Sequence, residues 1–325
     1  MNRRTFLCGL TLGTLAAPLA AQSQPAGKVY RIGFLGATSA LQYAPYVEAM
    51  KQGLGDLGYA EGRNLTIEYR WADGKYERLG PLAADLVRLK VDVIVTHGAP
   101  GSQAAKQATA TIPIVMAVVG NPEEVGLVQS LARPGGNITG SSFMFAEVNA
   151  KRVQLLKDAV PGLRRVAALS NADNFSRVSV LTAMEPIARS LRLAFRSVQV
   201  RNVDDLEPAF ASVKQQADGL VIIDDGLFIA NAGRLADLAV RKRLPIIGFK
   251  ELVDAGGLMA YGIDFPDVWR RSMVLVDRIL RGAKAGDLPI QRATKFELVI
   301  NLKTAKALGL TIPQSVLLRA DQVTE

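Results

Sequence analysis

The chain has 325 residues, one cysteine, one histidine and a net charge of +9 at neutral pH. The cysteine is Cys8, so the sequence beyond it holds no disulfide, thiolate metal ligand or thiol nucleophile. The lysines and arginines are scattered along the chain, and this excludes the basic blocks that are typical of nucleic-acid binding. The length exceeds the usual size of one hydrophobic core and therefore predicts two domains.

The first 23 residues have the order of an export signal. Two arginines precede an apolar run over residues 6–19, and small residues close the segment. This run is short for a bilayer span, although a membrane anchor that is retained is the alternative. The sequence RRTFL at positions 3–7 resembles a twin-arginine signal. We therefore expect residues 1–23 to be an export signal peptide and the protein to act in the periplasm.

Short runs rich in valine and isoleucine alternate with segments of helical period in the first half of the chain. The pattern predicts strands over residues 29–36, 65–71, 91–96 and 112–119. It predicts helices over residues 46–57, 76–89 and 102–109, the first of them ended by Gly58. Continuously apolar strands separated by helices are typical of a parallel sheet that is covered on both faces.

The pattern changes at the turn sequence of residues 133–137 and then starts again. We predict further strands over residues 138–143, 165–170, 194–200, 219–224, 245–249, 258–261 and 296–301. We predict further helices over residues 148–160, 178–191, 206–216, 230–242 and 268–281, and a last helix from Asn301 to residue 308. Together these elements predict an α/β fold of two doubly wound parallel-sheet lobes with a ligand cleft between them, because ligands bind beyond the carboxyl ends of parallel strands.

The sequence lacks the residues that most catalytic mechanisms require. His97 is the single histidine, and no serine lies in a G-x-S-x-G turn, so a Ser-His-Asp triad is excluded. One imidazole cannot supply the ligand cluster of a zinc site, and neither a phosphate loop nor a GxGxxG motif follows the first strand. Carboxylate chemistry, for example at Asp224 and Asp225, remains open. We expect no enzyme activity and no cofactor.

Six segments, in order along the chain, resemble a known family. They are LGYAEGRNLTIEYRWADGKYERL, LVRLKVDVIVTHG, ATIPIVMAVVGNPEEVGLVQSLARPGGNITG, KRVQLLKDAVPG, GGLMAYGIDFPDVWRR and TKFELVINLKTAKALGLTIPQSVLLRAD. With these segments the chain resembles the substrate-binding proteins of ABC transporters that are related to tryptophan- and tyrosine-binding components. The resemblance implies the type I periplasmic-binding fold, capture of a ligand between two lobes, and docking on an inner-membrane ABC permease whose partner ATPase drives import.

We divide the mature chain into two lobes that the chain connects three times. Residues 28–142 and 262–288 are predicted to form the N-terminal lobe, and residues 143–261 and 289–325 the C-terminal lobe. We expect a monomer whose partners are a small-molecule ligand and the permease, with no nucleic acid.

The loops after the predicted strands of the first lobe supply the first candidate ligand-binding residues. Thr38, Ser39 and Tyr43 lie where hydroxyls and backbone N–H groups could hold an anion, although Thr38 or Ser39 can also be an ordinary helix cap. His97 and Gly98 follow the third strand. We hypothesise that His97 tunes ligand choice and makes binding depend on pH near 6.5; the alternative is an ordinary loop histidine at the rim.

The loops after other strands supply the remaining polar candidates for ligand binding. Asn121 stands where the family pattern carries an acid, and the loss of that charge argues against a plain amino-acid ligand. Asn171 and Asn174 follow the first strand of the second lobe. Asp225 matches a family position that can face the ligand and is the candidate partner for a cation or hydroxyl. Capping of the next helix is its alternative role.

Three aromatic residues, Phe228, Phe249 and Tyr261, are predicted to stack on a flat or apolar ligand. Burial in the core is their alternative. The ligand itself is left open among amino-acid-like, aromatic and small carboxylate molecules. A sensor module that signals to a membrane receptor remains the alternative function. A repressor-type regulator is disfavoured, because the residues before position 29 read as an export signal instead of a DNA-binding headpiece.

Overall fold

A computed structural model describes residues 28–325. The predicted export signal at residues 1–23 lies outside the described residues. Within residues 28–325, each helix is too short or too polar to cross a membrane.

The strands alternate with helices along the whole described chain. The strands are β1 (Tyr30–Gly36), β2 (Leu65–Trp71), β3 (Val93–Thr96), β4 (Ile114–Gly120), β5 (Ile138–Phe143), β6 (Arg165–Asn171), β7 (Ala194–Val200), β8 (Gly219–Ile222), β9 (Ile246–Gly248), β10 (Met259–Gly262), β11 (Gln291–Arg292), β12 (Glu297–Asn301) and β13 (Gln322–Thr324).

The helices lie between these strands and pack on the sheets. They are α1 (Ala44–Asp56), α2 (Leu79–Arg88), α3 (Gly98–Ala108), α4 (Phe145–Ala159), α5 (Arg177–Ser190), α6 (Leu206–Gln216), α7 (Gly226–Ile229), α8 (Ala232–Arg241), α9 (Lys250–Asp254), α10 (Phe265–Leu280), α11 (Leu302–Ala307) and α12 (Gln314–Leu317).

Two separate sheets organise the described residues. The first has the strand order β11-β5-β4-β3-β1-β2 with parallel pairs throughout. The second has the order β13-β12-β10-β9-β8-β6-β7, and its single antiparallel pair joins β10 to β12. Inner strands of both sheets, for example β3 and β8, are buried along their whole length. Parallel strands that lie between two layers of helices are expected to be buried in this way. The predicted α/β fold with two mostly parallel sheets is confirmed.

Several predicted elements match the structure residue for residue: β2, β5, β7 and α6 have the predicted bounds. Others differ for local reasons. Helix α10 begins at Phe265, three residues early, because Asp264 accepts a hydrogen bond from the Asp267 backbone N–H and Pro266 favours the first turn. The predicted helix over residues 230–242 is present in shorter form as α8, and α7, which was not predicted, precedes it. The short elements α9, α12, β11 and β13 were not predicted, because two to five residues carry too little periodicity.

The long helices α4 and α10 pack on different sheets. Helix α4 packs against β8, β9 and β10 of the second sheet, whereas α10 packs against α1 and β4 of the first. Strand β11 belongs to the range 289–325 that was predicted for the C-terminal lobe, yet it pairs with β5 of the first sheet. The division of the chain into lobes stays a prediction in its exact bounds.

A glycine permits the closest contact between α1 and α10. A side chain on Gly53 would overlap the backbone carbonyl of Arg270, whereas Gly55, two residues later and exposed, faces open space.

We expect Gly53→Ala to lower the free energy of unfolding by about 1–3 kcal/mol, because an added methyl group forces the helices apart. Gly55→Ala is the matched control and should raise it by about 0.5–1 kcal/mol through helix propensity. Urea unfolding of both variants measures this difference, and equal effects would contradict the assigned helix contact.

Candidate functional site

A cavity lies where the carboxyl ends of strands from both sheets meet. Ala37 follows β1 and His97 follows β3 in the first sheet, while Asp224 and Asp225 follow β8 in the second. The cavity has a volume of about 70 Å³, several times what one buried water needs. The position is the one where open α/β sheets bind ligands.

Asp225 supplies the polar centre of the wall that belongs to the second sheet. Its Oδ1 accepts hydrogen bonds from Asn171 Nδ2 at 2.9 Å, the Leu227 backbone N–H at 2.9 Å and the Tyr76 hydroxyl at 3.0 Å. Its Oδ2 accepts one bond, from Asn174 Nδ2 at 2.8 Å. Burial raises the pKa of Asp225, and these hydrogen bonds oppose that effect.

All four donors around Asp225 are uncharged groups. The buried carboxylate is therefore hydrogen-bonded but not neutralised by them, a state that costs free energy. Oδ2 keeps a lone pair beyond its one bond, since a carboxylate oxygen can accept two. Asp225 also caps α7 through the Leu227 N–H, so the two predicted roles, cap and wall residue, occur together.

The adjacent Asp224 has a different environment. Its two oxygens accept Nη1 of Arg152 at 2.6 Å and Nη2 at 2.9 Å in a bidentate pair, with Arg152 fully buried. Arg152 also donates to the backbone carbonyls of Tyr261 and Ile222 and to the Asn149 side chain. This network ties α4 to β8 and β10, and it satisfies the charge of Asp224 inside the protein.

His97 and Tyr43 form the polar part of the opposite wall. The Tyr43 hydroxyl lies 3.0 Å from His97 Nδ1, and the Ala37 backbone N–H donates to His97 Nε2 at 3.3 Å. The two rings stack with centroids 4.3 Å apart. Burial lowers the pKa of His97 from 6.5 to about 3. The predicted pH dependence near 6.5 is therefore wrong for this site: the imidazole is removed from water and stays neutral across that range.

Aromatic rings enclose the rest of the cavity. Trp269, only 1% exposed, lies 5.5 Å from His97 and 6.2 Å from Tyr46, measured between ring centroids. Phe143 contacts both Phe145 and Phe265 edge to face. The lining is thus mostly apolar with a few convergent polar groups, the usual composition of a ligand pocket.

Several hydrogen bonds cross from the first lobe to the second around the cavity. The Tyr76 hydroxyl donates to Asp225, the Tyr46 hydroxyl to Glu251 Oε1 at 2.5 Å, and Gln42 Nε2 to the Ala230 carbonyl at 3.4 Å. These bonds bring elements more than 140 residues apart in sequence into direct contact.

The structure brings five of the predicted ligand-binding residues to the cavity lining. They are Tyr43, His97, Gly98, Asn174 and Asp225. Asn171 lies one layer behind, where it donates to Asp225. Thr38 is buried next to Gly226, with a side chain that has no hydrogen-bond partner. Ser39 is half-buried and exchanges hydrogen bonds with Gln42.

Asn121 does not line the cavity. Its Oδ1 accepts from the Phe145 backbone N–H at 2.9 Å, at the start of α4, and its Nδ2 donates to Glu124. The change from an acid to an amide at this position therefore leaves the charge of the cavity wall unaltered. The argument against an amino-acid ligand, which rested on that change, loses its structural basis.

The three aromatic residues predicted to stack on a ligand lie elsewhere. Phe228 and Phe249 are 0% and 1% exposed and pack in the hydrophobic core. Tyr261 stacks on Phe296. A strand-end position does not determine to which face of the sheet a side chain points, since neighbouring residues alternate.

Tyr46, Tyr76 and Trp269 line the cavity and were not predicted to do so. Tyr46 lies in the first turn of α1 and Trp269 in the second turn of α10, so neither follows a strand. The segments GKYERL and DVWRR carried a family resemblance, and that was the one available signal for Tyr76 and Trp269.

A family model covers almost the whole described chain. Residues 41–324 match the family model described as ABC transporter substrate binding protein. A protein of Clostridioides difficile named tyrosine-binding protein is 28% identical over 271 residues, 82% of this chain and 78% of that protein.

Solved structures share the fold over almost the whole described chain. A Streptococcus pneumoniae ABC domain in complex with L-Trp is 25% identical, with a TM-score of 0.84 over 90% of this chain and 99% of its own. A conserved domain protein of Vibrio cholerae is 26% identical, with a TM-score of 0.86 over 91% and 100%.

The buried pair of Arg152 and Asp224 provides a test of this wall. We expect Arg152→Met to lower the free energy of unfolding by about 3–5 kcal/mol, because Asp224 is left buried without its partner. Arg189→Met is the control, because Arg189 pairs with Glu185 on an exposed helix face and such pairs contribute about 0.3–0.5 kcal/mol. Chemical denaturation measures both values; a loss below 1 kcal/mol for Arg152→Met would contradict the assigned role.

Proposed function

The chain belongs to the family of ABC transporter substrate-binding proteins, and we propose that it captures an aromatic, amine-bearing ligand of the amino-acid class. The observation that carries this proposal is Asp225, a buried carboxylate at an aromatic-lined cavity whose four hydrogen-bond donors are all uncharged. A ligand ammonium would supply the missing positive charge.

The electrostatics favour the amine at Oδ2 of Asp225. Within residues 28–325 this oxygen has a single donor, Asn174, so an N–H of the ligand can occupy its second lone pair. A charge-assisted hydrogen bond of this kind contributes about 1.5–3 kcal/mol. The neighbouring Asp224 is already paired with Arg152, so Asp225 is the carboxylate that would bind the positive charge of the ligand.

The shape and chemistry of the other walls favour a flat ligand. The rings of Trp269, Phe265 and Phe143 present edges and faces that attract an aromatic group in offset or edge-to-face geometry. The similarity to a tyrosine-binding protein and to a structure that contains L-Trp supports the same ligand class.

We further propose that the ligand enters and leaves by opening of the two lobes. Both lobes contribute walls, and the bonds from Tyr46, Tyr76 and Gln42 across the cleft close the cavity. A ligand shifts such an equilibrium only by its preference for the closed state. A shift from mostly open to mostly closed needs a preference of about 5.5 kcal/mol, which contacts to both walls can supply.

Proteins of this family generally act outside the cytoplasm, and we propose how this protein is exported and where it docks. Residues 1–23 direct export, with the RRTFL sequence indicating the twin-arginine pathway, and the loaded protein docks on an ABC permease whose ATPase drives import. The family match favours this transport role over a periplasmic sensor.

Calorimetric titration with a matched set of small molecules tests the ligand class. We expect L-tryptophan or L-tyrosine to bind, and indole-3-acetate and benzoate, which have no amine, to bind at least about tenfold more weakly, since they cannot neutralise Asp225. Tight binding of the amine-free acids, or turnover of any ligand into a product, would contradict the proposal.

A variant of Asp225 tests the residue directly. Asp225→Asn keeps the size of the side chain and removes its charge, so affinity for the amine ligand should fall by about 10- to 150-fold. Asp173→Asn is the control: Asp173 lies in the loop after β6, pairs with Arg201 at the surface and does not line the cavity. Circular dichroism verifies folding, and equal affinities of the two variants would contradict the assignment.

A further inference from the structure

The hydrogen bonds of His97 determine which of its nitrogens carries the proton. The Ala37 backbone N–H points at Nε2 with a nitrogen–nitrogen distance of 3.3 Å. A backbone N–H can only donate, so Nε2 must accept and carries no proton. The proton of the imidazole is then on Nδ1, and Nδ1 lies 3.0 Å from the Tyr43 hydroxyl oxygen. His97 therefore donates to Tyr43.

This order of donors sets the direction of the Tyr43 hydroxyl. Its oxygen accepts from His97, so its own hydrogen must point to another acceptor. Tyr43 is only 3% exposed and lines the cavity, and among the described residues its hydroxyl has His97 as its hydrogen-bond partner. A buried phenol hydrogen requires an acceptor, and the cavity is the space that remains for one.

The opposite order is unfavourable. If Tyr43 donated to Nδ1, a neutral His97 would carry its proton on Nε2, and two N–H groups, from His97 and Ala37, would point at each other. A protonated His97 would have the same conflict. Both arrangements bury unsatisfied donors, and each such group costs about 1–3 kcal/mol.

We propose that His97 is a positioning residue that holds the Tyr43 O–H as a donor toward a ligand carboxylate, and thereby selects amino acids over the corresponding amines. This inference rests on the proposed function, because Asp225 holds the amine of the same ligand. His97 acts through Tyr43 and does not itself donate to the ligand.

A second group of donors lies beside Tyr43. Helix α3 begins at Gly98, directly after His97, and no side chain caps its first turn. Gly98 and Ala99 line the cavity, so the free backbone N–H groups of this turn lie close to the same carboxylate, where the helix dipole favours an anion. The first sheet thus presents donors to the acid end of the ligand, and the second sheet presents Asp225 to its amine.

The single histidine of the chain permits a direct test of the proton order. In protein labelled with ¹⁵N-histidine, the one imidazole should show a protonated Nδ1 and an unprotonated Nε2. This state should persist from pH 8 to pH 5, because burial lowers the pKa of His97 to about 3 and the rings that pack on it, Tyr43 and Trp269, are uncharged. A proton on Nε2, or a titration midpoint near 6.5, would overturn the proposal even if the protein binds amino acids.

Paired ligands test the consequence for selectivity. We measure the affinities of L-tryptophan and tryptamine, and of L-tyrosine and tyramine, which differ in the carboxylate. Tyr43→Phe should weaken binding of the amino acids by about 10- to 100-fold and leave that of the amines within about twofold. His97→Phe, which keeps a ring but loses both nitrogens, should reduce the preference for the amino acid over the amine. His97→Gln should restore part of this preference by donating an N–H to Tyr43.

The outcomes separate this inference from the proposed function. Equal losses for amino acids and amines in Tyr43→Phe and His97→Phe would assign both residues a packing role and overturn the inference, while amine recognition by Asp225 would stand. Failure of the wild-type protein to bind either class would instead contradict the proposed function, and the ¹⁵N measurement would still decide the proton order.

Discussion

Asp224 and Asp225 are neighbours in the chain and both are buried, but only one of them is neutralised by the protein. Arg152 forms a bidentate pair with Asp224, whereas Asp225 receives uncharged donors alone. A lone buried carboxylate is destabilising, and the fold retains it at the wall of its central cavity. Strained or uncompensated groups of this kind are characteristic of binding sites, because the ligand provides what the protein leaves out.

The fold explains how this carboxylate comes to face a ligand. Strand β8 ends at Ile222, so the next residues leave the second sheet at its carboxyl edge, where β1, β3 and β4 of the first sheet also end. The Asp224 pair fixes α4 on β8 and β10, and the Asp225 cap fixes the start of α7. The two lobes then meet through the hydrogen bonds of Tyr46 and Tyr76, while Trp269 packs on the rings of Tyr46 and His97 in the first lobe. In the proposed complex the ligand carboxylate faces donors of the first lobe, Tyr43 and the start of α3, and the ligand amine faces Asp225 of the second lobe.

The sequence was sufficient for the fold and for part of the site. Valine- and isoleucine-rich runs located the parallel strands, and the position of Asp225 after a buried strand identified it as a candidate. The aromatic residues that line the cavity could not be predicted from the sequence in the same way. Phe228 and Phe249 follow strands but face the core, while Tyr46 and Trp269 reach the cavity from helices. Which face a residue occupies depends on how distant elements pack, and local periodicity does not contain that information. The neutral state of His97 likewise follows from burial by Tyr43 and Trp269, which a single sequence does not reveal.

The most direct measurement is a crystal structure of the protein with the aromatic amino acid that binds it most tightly. The account predicts the ligand nitrogen at about 3 Å from Asp225 Oδ2, within hydrogen-bond distance, with the ring among Trp269, Phe265 and Phe143. A ligand whose nitrogen points away from Asp225, or one bound outside the cavity between the sheets, would contradict it.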